Sequence, residues 1–331
     1  MPFEFGTLHV RENRSAATSG EIAIGFARLR AHRPTGAPAI VFLPGGPGTS
    51  YLDAFTETTE NARRRLRMFQ RYAAAADVIV LDQRGFSARG TRLRTPHVAG
   101  GALDRPGSVV ATAEAWRTLA AAAGPANPGR DTSAYTVTEC AADVAELAAA
   151  LGYLRISLLG TSFGSQWAFA VMRRYPELVA RAVLSGVEPL DHGFDMPSSV
   201  LAAMQRIAVD AEVDPVLQPY LPEGGLMAAL AALRERFAGG PMRVEVADAT
   251  SGAKHPVVLG LEDLQAAVIP SDADAWPAFV LALYHGHYEG WARAELGSQH
   301  ELRHHDRAGG GLLRLACVQQ LSDGLARADR P

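Results

Sequence analysis

Gly160, Ser162 and Gly164 stand in a Gly-x-Ser-x-Gly spacing. The apolar run 156–159 precedes them directly, and a helix-like stretch, 166–175, follows. Strand, tight turn and helix in that order are the setting of a nucleophile elbow. The turn forces strained angles on Ser162, and the flanking glycines let strand and helix approach without Cβ clashes. The hydroxyl is then expected to project at the sheet edge, where the helix N-terminus favours developing negative charge.

A serine nucleophile needs donors for an oxyanion, a base and an orienting acid. One expected donor is the backbone N–H of Phe163, the residue after the serine. The other is expected from the loop after the apolar run 39–43, where Pro44-Gly45-Gly46-Pro47-Gly48 follows. Glycines let bare N–H groups face a substrate and prolines stiffen the bend, which makes Gly45 and Gly46 the candidates. Asp82-Gln83-Arg84-Gly85 ends a second buried-type run, 78–81. There an Asp82–Arg84 pair is expected to pin the loop beside the active-site rim.

The elements that must position these groups alternate between strand and helix signals, as in a mostly parallel sheet covered by helices. Segments 7–11 and 21–30 read as an opening antiparallel pair. An arginine-rich helix is expected over about 61–75, with Leu66, Phe69 and Ala73 on its buried face. Thr136 and Glu139 read as a capping box for a helix running to Leu151. A Gly/Pro-rich surface excursion is expected over about 96–134, and a further strand over 182–187. Residues 1–189 are read as the core and 190–305 as an inserted, mostly helical cap with one strand pair at 244–246 and 256–258. Residues 306–331 are read as a return to the core.

The chain has 331 residues, 48 % of them hydrophobic, 20 % charged and 7 % aromatic. That is ordinary for a globular protein with a substantial core. A formal net charge of −3 gives no basic footprint, so nucleic acid is not an expected partner. The two cysteines, Cys140 and Cys317, support neither a disulfide framework nor a zinc site. Cys140 reads as a small core residue on a stripe with Val144, Leu147 and Leu151. The first residues lack a basic start followed by an apolar block, and no apolar run reaches ~20 residues. No signal peptide and no membrane partner are expected, and the expected location is the cytoplasm.

Taken together and in order, Gly45-Gly46-Pro47-Gly48, Asp82-Gln83-Arg84-Gly85 and Gly160-Thr161-Ser162-Phe163-Gly164 resemble the proline iminopeptidase family. They resemble most its tripeptidyl-aminopeptidase-like branch of α/β-hydrolase serine peptidases, whose start Phe5-Gly6-Thr7-Leu8 also looks similar. The likeness covers about residues 5–190. It implies an α/β-hydrolase core with a helical cap, no cofactor, and release of proline or short peptides from peptide N-termini through an acyl-enzyme. A carboxylesterase using the same serine is the nearest alternative.

That family places its acid and its histidine beyond the cap, in an apolar run before an Asp and then a Gly-His. This chain has no such segments after the cap and reads as ending before its last two strands. Three readings stay open. Acid and base are lost or carried on a completing chain or a second copy. Alternatively, the base is among His192, His285, His287, His300, His304 and His305, with Glu188 or Asp191 as acid. Or the pocket binds without peptidase chemistry. His285-Gly286-His287 has no carboxylate or thiol at ligand spacing, so no metal is expected. Glu57, Glu60, Glu188 and Asp191 are candidates to hold a substrate α-amino group.

Overall fold

The computed structural model describes residues 3–33, 36–94, 102–189, 196–248, 251–269 and 272–304. The chain divides into two compact units, one from Met1–Pro96 and Ala120–Phe194, the other from His97–Leu119 and Asp195–Pro331.

The first unit is built on a six-stranded sheet. Its strands are β1 (Phe3–Arg11), β2 (Glu21–Leu29), β3 (Ala39–Leu43), β4 (Val78–Leu81), β5 (Ile156–Thr161) and β6 (Val179–Ser185), in the spatial order β1-β2-β4-β3-β5-β6. β1, β2 and β4 pair antiparallel, and β4, β3, β5 and β6 run parallel. β4 reads Val-Ile-Val-Leu and is buried along its whole length, the unbroken apolar pattern of a strand covered on both faces. The opening pair starts earlier than the sequence implies, at Phe3, and its register sets Val10 opposite Ile22. β6 begins at Val179 and stops at Ser185, three residues earlier at its start and two at its end than expected.

Among the described residues four α-helices belong wholly or partly to this unit: α1 (Glu60–Tyr72), α2 (Val109–Ala126), α3 (Val137–Ala150) and α4 (Phe163–Arg174). The pleat sorts the strand residues to two faces. Val41, Leu43, Ile79 and Leu81 join Cys140, Val144 and Leu147 of α3 and Trp167 and Val171 of α4 in one cluster. Phe42, Val78 and Val80 join Phe69 of α1 in another. Thr59 caps α1 through its hydroxyl, which accepts from the Ala62 N–H at 3.2 Å. Thr136 caps α3 in the same way, from the Glu139 N–H at 3.2 Å. The carboxylate expected to complete the box turns instead to Arg14. α2 is not visible as a helix in the sequence. None of its residues is buried, and Val109, Val110 and Trp116 are exposed, so it lacks the apolar stripe that marks a helix.

The expected Asp82–Arg84 pair does not form. Arg84 is fully buried and donates to Asp143 with two nitrogens, Nε at 2.8 Å and Nη2 at 2.7 Å. Its Nη1 donates to the carbonyls of Glu12 (2.7 Å) and Ala134 (2.8 Å). Arg14 reaches the same carboxylate at 2.7 Å and pairs with Glu139 and Glu146. A guanidinium this deep is retained because every donor has an acceptor. The cluster ties the end of β1, the turn after β4 and α3 into one piece.

The second unit has its own core. It comprises α5 (Pro197–Glu212), α6 (Gly225–Ala238), the antiparallel pair β7 (Met242–Ala247) and β8 (Lys254–Leu259), α7 (Leu261–Ala267), α8 (Trp276–Tyr284) and α9 (Glu289–His304). Leu226, Leu233, Val257, Leu259, Val280 and Trp291 are among its buried residues.

Candidate active site

Parallel strands put their C-terminal ends on one edge of a sheet, where ligands of open α/β sheets bind. β3 ends at Leu43, β4 at Leu81, β5 at Thr161 and β6 at Ser185. The glycine bend, the Asp-Gln-Arg-Gly turn, the serine corner and the segment 186–189 therefore leave the sheet from the same edge.

Ser162 occupies the single position between β5 and α4, with φ 54° and ψ −126°. Among the described residues it alone has a positive φ without being glycine. The angles are those of the first central position of a type II′ turn, which glycine normally fills. Its N–H continues the ladder to the Ser185 carbonyl at 2.9 Å. A methyl group on Gly164 would lie 2.0 Å from the Leu43 carbonyl oxygen, and one on Gly160 would lie 2.5 Å from the Gly164 oxygen. Both glycines are thus demanded by backbone, which cannot yield as a side chain can. Helix α4 starts at Phe163, three residues before the expected start, so the Phe163 N–H is a first-turn amide with no intrahelical acceptor.

The glycine bend comes to the serine. A methyl on Gly45 would sit 3.2 Å from Ser162 Cβ and 3.7 Å from its Oγ, so the side of Gly45 that a side chain would occupy faces the serine. Gly46 has φ 126° and Gly48 φ 89°, so the bend holds two left-handed positions. Two neighbours of β4 fix it. Gly48 N–H donates to Gln83 Oε1 at 3.0 Å, and Ser50 Oγ donates to Asp82 Oδ1 at 2.6 Å. Asp82 Oδ2 also accepts from the Ala88 N–H (2.7 Å) and Ser87 Oγ (3.1 Å). Burial pushes the Asp82 carboxyl up to about 6, the nearby Asp53 charge adds to the rise, and the three hydrogen bonds oppose it.

Ser162 Oγ donates to Glu188 Oε1 at 2.9 Å. The glutamate backbone is held from the helix side. Glu188 N–H donates to Ser165 Oγ at 2.8 Å, and that fully buried hydroxyl donates to the Ser162 carbonyl at 2.7 Å. Gln166 Nε2 donates to the Pro189 carbonyl at 2.9 Å. Sequence reasoning does not single out Gln83 or Ser165. Their only signal there is position, one residue after Asp82 and three after Ser162.

Of the other residues named from the sequence, Asp191, His192 and His305 lie outside the described residues, as do the side chains of His300 and His304. His285 belongs to the second unit, where its Nε2 meets the Tyr220 carbonyl at 2.8 Å. No group of three metal-ligating side chains occurs among the described residues. Glu60 accepts from Arg67 at 2.8 Å on the surface of α1. Arg84 has its donors engaged inside the protein. Cys140 is buried, with its thiol pushed up to about 12 by burial, and is the core residue its stripe predicts. No helix among the described residues is long and apolar enough to cross a membrane.

The family described as alpha/beta hydrolase fold matches residues 38–209. Among solved structures, a proline iminopeptidase-related protein from Thermus thermophilus is 25 % identical over 56 % of this chain and 44 % of its own, with a TM-score of 0.33. A serine hydrolase from Cycloclasticus zankles is 14 % identical over 55 % of this chain and 45 % of its own, with a TM-score of 0.30. The acetyl esterase MekB is 15 % identical over 66 % and 52 %, with a TM-score of 0.35. The chain thus spans about half the length of these structures or less. No curated protein matches the sequence.

Proposed function

The chain belongs to the α/β-hydrolase fold family, and we propose that it is a serine hydrolase acting through an acyl-enzyme on Ser162. Its preferred substrates, in this proposal, are peptides from which it releases N-terminal proline or a short N-terminal unit. The observation that carries the reading is a serine at φ 54° faced by Gly45, where a Cβ would come within 3.2 Å of the serine Cβ. A strained backbone angle of this kind costs roughly 1–3 kcal/mol and persists where the surroundings enforce it. Here those surroundings are two glycines packed on backbone carbonyls.

In the reaction Ser162 Oγ attacks the carbonyl carbon, and the N–H groups of Phe163 and Gly46 receive the developing oxyanion. The absence of a side chain at Gly45 leaves room for the acyl group. Collapse expels the amine, and water then releases the acyl group. Each oxyanion donor is worth roughly 2.7–4 kcal/mol of barrier in such sites. The peptide preference draws on the combined motifs at 45–48, 82–85 and 160–164.

A fluorophosphonate probe tests the nucleophile: labelling at Ser162, located by peptide mass spectrometry, is expected. Folded protein that takes no label would make the chain a binding protein. Chromogenic proline and tripeptide amides, set against p-nitrophenyl esters, test the substrate. Ester turnover with no amide turnover would replace the peptidase by an esterase. Running the same assays across protein concentration tests for a second copy, because activity that needs two copies rises faster than concentration.

A further inference from the structure

We infer that Ser165 is a positioning residue for the oxyanion: its buried hydroxyl holds the Ser162 carbonyl and so aims the Phe163 N–H at the substrate oxygen. The inference rests on the serine hydrolase reading above and deepens it at the same site. Ser162 is the N-cap of α4, yet its side chain makes no capping hydrogen bond. In an ordinary helix start that hydroxyl would accept from an N–H of the first turn. Here it stays out of the cap, and Ser165, the third residue of the helix, reaches back to the cap carbonyl instead.

The chemistry of the partners fixes every direction. The Glu188 N–H only donates, so Ser165 Oγ accepts from it at 2.8 Å. The Ser162 carbonyl only accepts, so the same hydroxyl donates to it at 2.7 Å. The Ser165 N–H donates to that carbonyl as well, also at 2.7 Å. Two donors from one residue thus occupy the two lone pairs of one oxygen. On the other side of Ser162, its own N–H is held by the Ser185 carbonyl at 2.9 Å. Ser165 has no exposed surface, so water does not compete for these contacts.

The Ser162–Phe163 peptide is trans. A trans peptide unit is planar, and its C=O and N–H point in opposite directions. With the carbonyl clamped into the first turn, the Phe163 N–H points the other way, out of the turn. That N–H has no acceptor in its own helix and is the oxyanion donor proposed above. Rotation of this one peptide would swing the donor off its line, and a misplacement of about 1 Å can cost 10²-fold in rate. The hydroxyl also ties the peptide to the segment after β6, through the Glu188 N–H.

The same hydroxyl could serve only the Glu188 amide, as a strut for the segment after β6, and the experiment separates the two roles. Wild type, Ser165→Ala, Ser165→Cys and Ser165→Thr are prepared in full-length form, each checked for folding by circular dichroism. A thiol is near a hydroxyl in size but a weak donor, so Ser165→Cys carries the comparison if Ser165→Ala does not fold. A fluorophosphonate counts the active Ser162 in each preparation. Turnover of p-nitrophenyl acetate then gives KM and kcat per labelled site. An aryl trifluoromethyl ketone supplies a second reading, because its oxygen becomes the anion when Ser162 adds to the carbonyl. We expect kcat per labelled site to fall roughly 10–100-fold in Ser165→Ala and Ser165→Cys, less than the ~10²–10³-fold lost with a whole donor. KM is expected to stay within about twofold, since the lost interaction belongs to the transition state. The ketone should bind more weakly by the factor that kcat loses. Ser165→Thr, which keeps the hydroxyl, is expected to recover most of the loss.

A kcat per labelled site equal to wild type in Ser165→Ala or Ser165→Cys overturns the inference, even where fewer sites take label, and leaves the nucleophile reading standing. So does a loss confined to KM, which makes Ser165 a strut. A fall in kcat with unchanged ketone affinity overturns it too, because the oxyanion donor was then not what was lost. Wild type that takes no label at all overturns the nucleophile reading and the inference with it.

Discussion

Gly48 donates its backbone N–H to Gln83 Oε1 at 3.0 Å, so the bend after β3 is held by the turn after its neighbour β4. One residue before Gln83, Asp82 grips the far end of the same bend through Ser50. The two neighbouring side chains thus fix a loop that has no secondary structure of its own. Replacing Gln83 by Met removes one hydrogen bond, worth about 0.5–1.5 kcal/mol. We expect kcat/KM on a p-nitrophenyl ester to fall about 3–10-fold, with the melting temperature little changed. An unchanged kcat/KM would show that the bend keeps its shape without Gln83.

Ser162 sits at φ 54°, where a Cβ is costly. Ser162→Gly and Ser162→Ala both remove the hydroxyl, and only the first removes the Cβ. The glycine variant is expected to be about 1 kcal/mol more stable than the alanine variant in urea unfolding, the reverse of the usual order. Equal stability would mean that the turn stores no strain.

Gly164→Ala would place a methyl 2.0 Å from the Leu43 carbonyl oxygen. Relief requires β3 and α4 to separate, and overpacking of this kind costs about 1–3 kcal/mol or more. Urea unfolding should show that loss, together with a drop in phosphonate labelling as Gly45 moves from Ser162. A variant that labels at the wild-type rate would break the link between this glycine and the site.

The Asp82 carboxyl is raised to about 6 by burial, against an unfolded value near 3.9. Between about pH 4 and pH 6 the folded state therefore holds more protons than the unfolded chain. Stability from this group falls as pH rises through that window, by up to about 3 kcal/mol. Asp82→Asn keeps the shape and removes the titration. The difference in unfolding free energy, wild type minus variant, should decline from pH 4 to pH 6 and level off above. A flat difference across the window would refute the shift.

Arg84→Met leaves Asp143 buried, with Arg14 as its remaining guanidinium. Removing one partner from a buried ion pair costs about 3–5 kcal/mol. Denaturant midpoints would register a loss on that scale. Arg84→Lys should recover only part of it, because one ammonium cannot serve two carboxylate oxygens and two carbonyls at once.

Local chemistry made part of this readable. A mostly parallel sheet covered by helices followed from apolar runs ending in glycine turns, and β3 and β4 have the predicted ends because each is wholly apolar and closed by a turn. The corner at Ser162 was legible because Gly160 and Gly164 flank it in sequence. Edges were less so: β6 mixes half-buried and exposed residues, and its start at Val179 carries no punctuation. α4 begins earlier than expected because Phe163, Gly164 and Ser165 are weak helix formers held by packing. Pairings across long separations were invisible. Arg84 finds Asp143 59 residues away rather than the aspartate two residues before it. Glu188 meets Ser162 across 26 residues, through a bend at Gly186 that only a φ of 59° explains.

The ionic cluster of Arg14, Arg84 and Asp143 joins segments up to 129 residues apart. A ribosome delivers them one by one, and the acidic member arrives last, on α3. Until α3 has left the exit tunnel, Arg14 and Arg84 of a nascent chain must wait without the carboxylates of that helix, which makes its emergence the moment when the amino-terminal half can lock.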